Sequence, residues 1–435
     1  MARRETAHAI HEAFPMSQVA EQLLPLPGVG EEVRAFYDRY PYPPPVDDLG
    51  KYQRLWQDRQ RRRADYHLFF PTRPYREGQS ILIAGCGTSQ AAKHALRWPT
   101  AQVTGIDVSA TSVRSTEELK EKYNLKNLQV HWLSIERVDE LGMSFDQIVC
   151  TGVLHHLADP DSGLRALRSV LNPDGALHLM VYAPYGRAGV YMLQEFCKRI
   201  GVHATDADIR DLIGALSALP PGHPLQSLLS QAPDFRRASA LADALLHPQD
   251  RAYSVPQLFN FIESAGLKFG RWVRQAPYSF ICGVIAKLPQ TARMARLSLL
   301  EQYAAIELFR GTMVRHSAVV YRNDSLCGRQ QISFSDDAWL DYVPIRMSDT
   351  ICVQERLPIG AAAVLINQTH TYRDLFLPIS PREQQLFEAI DGVRSIAAIV
   401  ESTLSSSHRP TYLDLARTFF ERLWWNDQVV FDASQ

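Results

Sequence analysis

Residues 81–90 read Ile-Leu-Ile-Ala-Gly-Cys-Gly-Thr-Ser-Gln, and this stretch restricts the possible folds of the chain more tightly than any other. An apolar run that enters a turn of small residues predicts a strand covered on both faces, as in the middle of a parallel sheet. Gly85 and Gly87 let the backbone turn sharply and approach a ligand with no Cβ in the way. A helical pattern opens at Ala91, Ala92, Lys93, His94, Ala95 and Leu96, so its free N–H groups would point at whatever lies over the turn. The next apolar segment, Val103-Thr104-Gly105-Ile106-Asp107, ends in a carboxylate 20 residues beyond Gly87. That is the spacing at which a nucleotide-binding fold sets an acid against ribose hydroxyls. Together the two segments predict a nucleoside-containing cofactor; the alternative is a strand, a plain turn and a surface Asp.

The chain has 435 residues, enough for two or three domains. Its 46% hydrophobic and 21% charged residues are ordinary for a soluble globular protein. A net charge of −1 offers no global pull toward nucleic acid or anionic membrane. The first residues, with Arg3, Arg4, Glu5, His8, His11 and Glu12, lack the apolar core of a secretory signal. No run approaches the ~20 apolar residues needed to span a bilayer. The six cysteines include no Cys-x-x-Cys pair, which argues against a zinc site or disulfide framework and fits a reducing cytoplasm. A cytoplasmic protein without a metal centre is therefore expected.

Residues 31–40 look helical, and Tyr40-Pro41-Tyr42-Pro43-Pro44-Pro45 must then run extended. This strap, part of an N-terminal unit over 1–75, is either a packing arm or a lid whose Tyr40 and Tyr42 face a substrate. Arg54, Arg59, Arg61, Arg62 and Arg63 form a basic run expected to be a solvated helix face rather than a nucleic-acid groove. From residue 81 onward strands and helices alternate, predicting an open, mostly parallel sheet with helices on both sides. Third, fourth and fifth strands are expected at 128–133, 145–150 and 176–182, the last preceded by the turn Asn172-Pro173-Asp174-Gly175.

The order and wording of these segments resemble class I S-adenosylmethionine-dependent methyltransferases. Ala84-Gly85-Cys86-Gly87-Thr88 is similar to the family's glycine loop, Asp107 to its ribose acid, and Phe145–Val149 to its fourth strand. Gly152-Val153-Leu154-His155-His156-Leu157 is similar to the motif after that strand in many small-molecule members. The resemblance implies S-adenosyl-L-methionine held by Ala84, Gly85, Cys86, Gly87, Thr88, Gln90, Asp107, Val108, Ser134, Ile135 and Thr151. Two departures stand out: Ile83 and Ser89 occupy places where the family often has an acid and a third glycine. Gln90, Thr88 or a backbone carbonyl would then take over part of the contact with the methionine ammonium.

The resemblance also implies a seven-stranded Rossmann-like domain over 76–325, closed by an antiparallel hairpin at 267–272 and 280–286. Residues 191–246 exceed an ordinary crossover and read as a helical cap over the substrate pocket. A helix near 291–309 and a strand near 318–322 follow, then a polar linker over 323–334. Residues 335–435 form a compact α+β unit in which Ser380-Pro381-Arg382-Glu383 is a complete helix start. Its element order resembles a winged helix, and Asp391–Ile396 is similar to PqqD-like domains, which implies a peptide partner.

At the site, His156 and His155 are candidate bases at the carboxyl end of the fourth strand. Tyr182 and Tyr185 could orient an acceptor, and Arg187 could grip a carboxylate. The leading expectation is a methyltransferase acting at oxygen, nitrogen or carbon of a small or medium-sized metabolite, possible as a homodimer. The alternatives are a peptide acceptor presented by the C-terminal unit, a non-catalytic S-adenosylmethionine-binding regulator, and an NAD-dependent dehydrogenase with the same loop and acid. Nucleic-acid methylation ranks below these because the charge is near neutral.

Overall fold

The computed structural model describes residues 29–231, 237–324, 331–403 and 409–434. The first 28 residues of the N-terminal unit and positions 325–330 of the expected linker lie outside the described residues. Ile81, Leu82 and Ile83 are at most 2% exposed. Leu82 packs with Ile106 and Ile148 on one face, while Ile81 and Ile83 pack with Ala91 and Ala92 on the other. Each such side chain contributes about 1.5–3 kcal/mol by leaving water, and the two-sided demand places the strand at the centre.

That strand, β1 (Ser80–Ala84), is joined by β2 (Gln102–Asp107), β3 (Leu128–Trp132), β4 (Phe145–Thr151), β5 (Leu171–Tyr182), β6 (Leu267–Trp272) and β7 (Arg315–Arg322). The sheet order is β3-β2-β1-β4-β5-β7-β6, with β7 antiparallel to both neighbours and β1–β5 parallel. This is the Rossmann-like α/β fold expected, with a longer fifth strand. Leu171 pairs with Phe145 and Ala176 with Gln147, so the Asn172–Gly175 turn bulges out between two paired positions.

The closing hairpin is drawn differently from expectation. β6 pairs with β7, and residues 280–286 form no strand. Gly283 sits at φ +64°, and neighbouring backbone groups find partners in the C-terminal unit instead of in a ladder. The Val284 N–H donates to Asp374 at 2.9 Å, and the Cys282 thiol to the Trp425 carbonyl at 3.5 Å. The single helix expected at 291–309 is two, Thr291–Met294 and Leu299–Arg310, because Ser298 starts a fresh capping box with Glu301.

Between β5 and β6 lie the helices Ala188–Arg199, Asp206–Leu216, Leu225–Gln231 and Ala238–Leu245, the expected helical insertion. Their apolar faces enclose Phe36 and Tyr40 of the N-terminal helix Val29–Arg39. The C-terminal region contains β8 (Val343–Arg346), β9 (Thr350–Val353), β10 (Ala363–Asn367), β11 (Leu377–Ile379), three helices and β12 (Val429–Asp432). Both bonds of the Ser380–Glu383 capping box are made. The region has its own core around Phe419, Phe420 and Phe431, yet Ile345, Met347 and Val430 join the core of the large sheet.

The arginine run is solvated only in part: Arg54 and Arg59 are exposed, but Arg61 pairs with Asp349, Arg62 with Glu77 and Arg63 with Asp432 from helix Arg59–Phe69. These three side chains are 14–16% exposed. Arg61 and Arg63 fasten the C-terminal region to this helix. Among the described residues no helix is long and apolar enough to cross a membrane.

Candidate functional site

The site is built at the carboxyl edge of β1, β2 and β4. Gly85 and Gly87 have φ of +72° and +51°, the left-handed region where an L side chain is strained. A Cβ on Gly85 would lie 2.3 Å from Cγ2 of Val153, so the loop and the segment after β4 meet in a space that only glycine leaves open. Ala84 and Cys86 are fully enclosed in the core and can offer a ligand only their backbone. Asp107 ends β2 and is half-buried. Its carboxylate accepts the Gly87 N–H at 2.8 Å and the Ser109 N–H at 2.9 Å. Burial, aided by the charge of Asp38, outweighs these hydrogen bonds and pushes its pKa up to about 6.

At the end of β3, Ser134 is 8% exposed and its hydroxyl has no hydrogen-bond partner among the described residues. Ile135 beside it is core, and Val108 is half-buried, its carbonyl accepting the Trp132 indole N–H at 2.7 Å. Thr88 is fully buried, and its hydroxyl donates to the Pro43 carbonyl at 2.9 Å. The strap therefore crosses the glycine loop. Thr88→Val should lower stability by about 1 kcal/mol, the usual net worth of one hydrogen bond, and quicken proteolysis between residues 40 and 49. Urea titration and a timed digest would check this, and an unchanged cleavage rate would contradict it.

Gln90 and Thr151 line a cavity of about 290 Å³ between helices Gln90–Arg97 and Arg59–Phe69 and residues 347–349. Asp65, His94 and Arg97 share that cavity, so these two residues are grouped with the C-terminal region as well as with the loop.

The histidines after β4 do meet a partner set, one that the sequence did not reveal. His155 and His156 are 0% and 3% exposed. Gln249, 93 residues further on, presents its carbonyl to His156 Nδ1 at 2.7 Å and its N–H to His247 Nδ1 at 3.0 Å. A carbonyl only accepts and an N–H only donates, so the backbone of one residue holds the two imidazoles, tilted with ring centroids 3.9 Å apart, in opposite tautomers. His156 keeps a lone pair on Nε2, and His247 keeps a proton there. Burial drives the pKa of His156 down to about 4 and that of His155 well below the usual range. A general base works best with a pKa near the operating pH. Burial thus favours the neutral imidazole at both positions and weakens each as a base in the free chain.

Four other candidates are placed as follows. The Arg187 guanidinium, 5% exposed, lies 3.5 Å over the Tyr182 ring and bonds Asp250 at 3.1 Å and the Tyr191 hydroxyl at 3.1 Å. It is already paired with a carboxylate of the chain. Tyr185 is 42% exposed on the outer turn, away from the histidines' enclosure. Tyr40 donates to Asp206 at 2.8 Å and serves the cap. Tyr42 stays half-buried in the strap, its carbonyl beside Gly87.

Tyr37 and Asp38 had no signal beyond an aromatic-rich helix end, yet they close the site. The Asp38 carboxylate accepts from the Ser109 hydroxyl at 2.8 Å and the Thr111 N–H at 3.2 Å. The Tyr37 hydroxyl donates to Asp243 at 3.0 Å, and Tyr182 reaches the other Asp243 oxygen at 3.5 Å. Helix, cap and sheet thus share one enclosure above Asp107.

Residues 82–177 match the family described as a methyltransferase domain. An uncharacterized protein of Synechococcus sp. is 35% identical over 251 residues, covering 55% of this chain and 59% of its own length. A ubiquinone biosynthesis O-methyltransferase of Albidiferax ferrireducens is 34% identical over 99 residues, covering 22% of this chain and 39% of its own. The chain therefore spans under two thirds of the length of these curated relatives. The solved structure of PKMT2 from Rickettsia typhi in complex with AdoHcy superposes with a TM-score of 0.61 at 16% identity, over 86% of this chain and 75% of that one. At that identity the likeness is one of fold.

Proposed function

We propose that the chain is an S-adenosylmethionine-dependent methyltransferase acting at oxygen, nitrogen or carbon of a small or medium-sized metabolite. The observation that carries this is the Gly85–Gly87 loop held to the Asp107 carboxylate by a 2.8 Å bond, within a segment that matches methyltransferase domains. The residues present suit the donor. Asp107 has lone pairs left for ribose hydroxyls, and the buried Ser134 hydroxyl lacks a partner among the described residues at the adenine end. The donor supplies an activated methyl group on a sulfonium. The chain's part is to hold the acceptor at ~3–3.5 Å in line with it, an alignment that can supply several kcal/mol.

Helix Val29–Arg39 and the cap keep water from that space, which favours an acceptor small enough to be enclosed. The relative named for O-methylation in ubiquinone biosynthesis supports oxygen among the acceptor atoms. Titrating the full chain calorimetrically with S-adenosylmethionine, then offering labelled donor with lysate fractions sorted by size, tests both halves. Binding with label in the small-molecule fraction is expected. Label in protein or RNA would overturn the acceptor class, and binding without transfer would favour a regulator.

Asp107 makes donor affinity pH-dependent. Its folded-state pKa of about 6 lies above the ordinary aspartate value of 3.8, so the free chain takes up a proton there as pH falls. Ribose hydroxyls donate to the ionised form. Affinity is expected to be flat above about pH 7 and to fall about tenfold per unit below about 6. The same shift makes the free chain lose stability as pH rises between those two values. An affinity unchanged at pH 5 would refute the assignment.

A further inference from the structure

We propose that His155, His156 and Asp250 form a site for one divalent first-row transition-metal ion, with a coordination position open toward the acceptor. One ligand atom from each of the three lies within 4.8 Å of the others. Ligand atoms about 2.1 Å from a shared tetrahedral ion are about 3.4 Å apart, so closing the site takes side-chain movements of up to roughly 1.4 Å.

Two of the three members lack a partner that an ion would supply. Both ring nitrogens of His155 and the Oδ1 of Asp250 are buried without a hydrogen-bond partner among the described residues, although such groups are ordinarily paired. The Asp250 side chain is 3% exposed. The surrounding bonds leave the ligand atoms free. Arg187 at 3.1 Å and Gln194 at 2.9 Å both occupy Oδ2 of Asp250, leaving Oδ1 available. The Gln249 carbonyl takes the Nδ1 proton of His156, so Nε2 carries the lone pair, the outer-shell arrangement usual for metal-bound histidine. His247 has its Nδ1 lone pair engaged by the Gln249 N–H and its proton on Nε2, so it stands beside the site as a donor and not in it.

Two imidazoles and a carboxylate suit zinc, cobalt, manganese or iron(II). Three protein ligands leave room for an acceptor oxygen or nitrogen, which the ion would orient and acidify. The site depends on none of the donor-binding residues, so its test is independent of the donor.

The full chain, stripped with chelator, is titrated with Co²⁺ alone and followed by visible absorption. About one equivalent should bind, with ligand-field bands that Zn²⁺ abolishes by displacement. His155→Ala and Asp250→Asn should each weaken binding at least a hundredfold. Because Asp250 also braces the cap, His155→Cys provides a second measurement. It should keep Co²⁺ and add a near-ultraviolet sulfur-to-metal band. Absence of Co²⁺ binding by the wild-type chain, undiminished binding in His155→Ala, or a bound ion in His155→Cys without the sulfur band would each overturn the proposal.

Discussion

Asp107→Asn should weaken S-adenosylmethionine binding by a hundredfold or more at neutral pH, measured by calorimetry on the full chain. A hydrogen bond to a charged acceptor is worth about 1.5–3 kcal/mol, and ribose presents two hydroxyls to this carboxylate. The Asn variant keeps the shape of the side chain and one oxygen. It can still accept one of the two backbone N–H bonds, at 2.8 and 2.9 Å, that tie β2 to the loop and to Ser109. Asp107→Ala would also loosen the loop itself, so comparing the two separates contact with the sugar from support of the turn. Affinity within a few-fold of wild type in Asp107→Asn would mean that the acid closes the loop and does nothing more.

The second large effect concerns stability. Asp427, 2% exposed, accepts the backbone N–H groups of Gln275 and Ala276 at 3.0 Å each and lies 3.0 Å from His370 Nε2 and 3.6 Å from Arg271. It is the point at which the C-terminal region holds the segment after β6. Burial would raise its pKa, but the His370 hydrogen bond and the charges of His370, Arg271 and Arg274 hold it below the usual value. Asp427→Ala strands two buried N–H groups and an uncompensated guanidinium, a loss of about 3–5 kcal/mol. Urea unfolding monitored by tryptophan fluorescence should show a markedly lower midpoint, and an unmoved midpoint would contradict the role. Since the folded-state value is depressed, the stabilisation is present above pH 3.8 and drains away as pH falls through the lower folded-state value.

What could be read in the sequence was what neighbouring residues decide. The β1 run, the glycine turn, the acid ending β2 and the Ser380 capping box are local patterns, and each took the expected form. Residues 280–286 alternate like a strand, but whether they pair depends on distant partners: Asp374 takes the Val284 N–H and the Trp425 carbonyl takes the Cys282 thiol. Arg61, Arg62 and Arg63 read alike whether solvated or paired, and only the folded chain brings Asp349, Glu77 and Asp432 to them. Arg187 was correctly placed above the sheet, but its carboxylate turned out to be Asp250 of the same chain. The histidine pair was visible, whereas the Gln249 peptide that sets its tautomer lies 93 residues away.

The strap and helix Val29–Arg39 are bonded at Thr88, Ser109 and Asp243, so the enclosure is tied shut at three corners by neutral and charged groups alike. Admitting or releasing any molecule beneath this N-terminal flap therefore means parting all three ties.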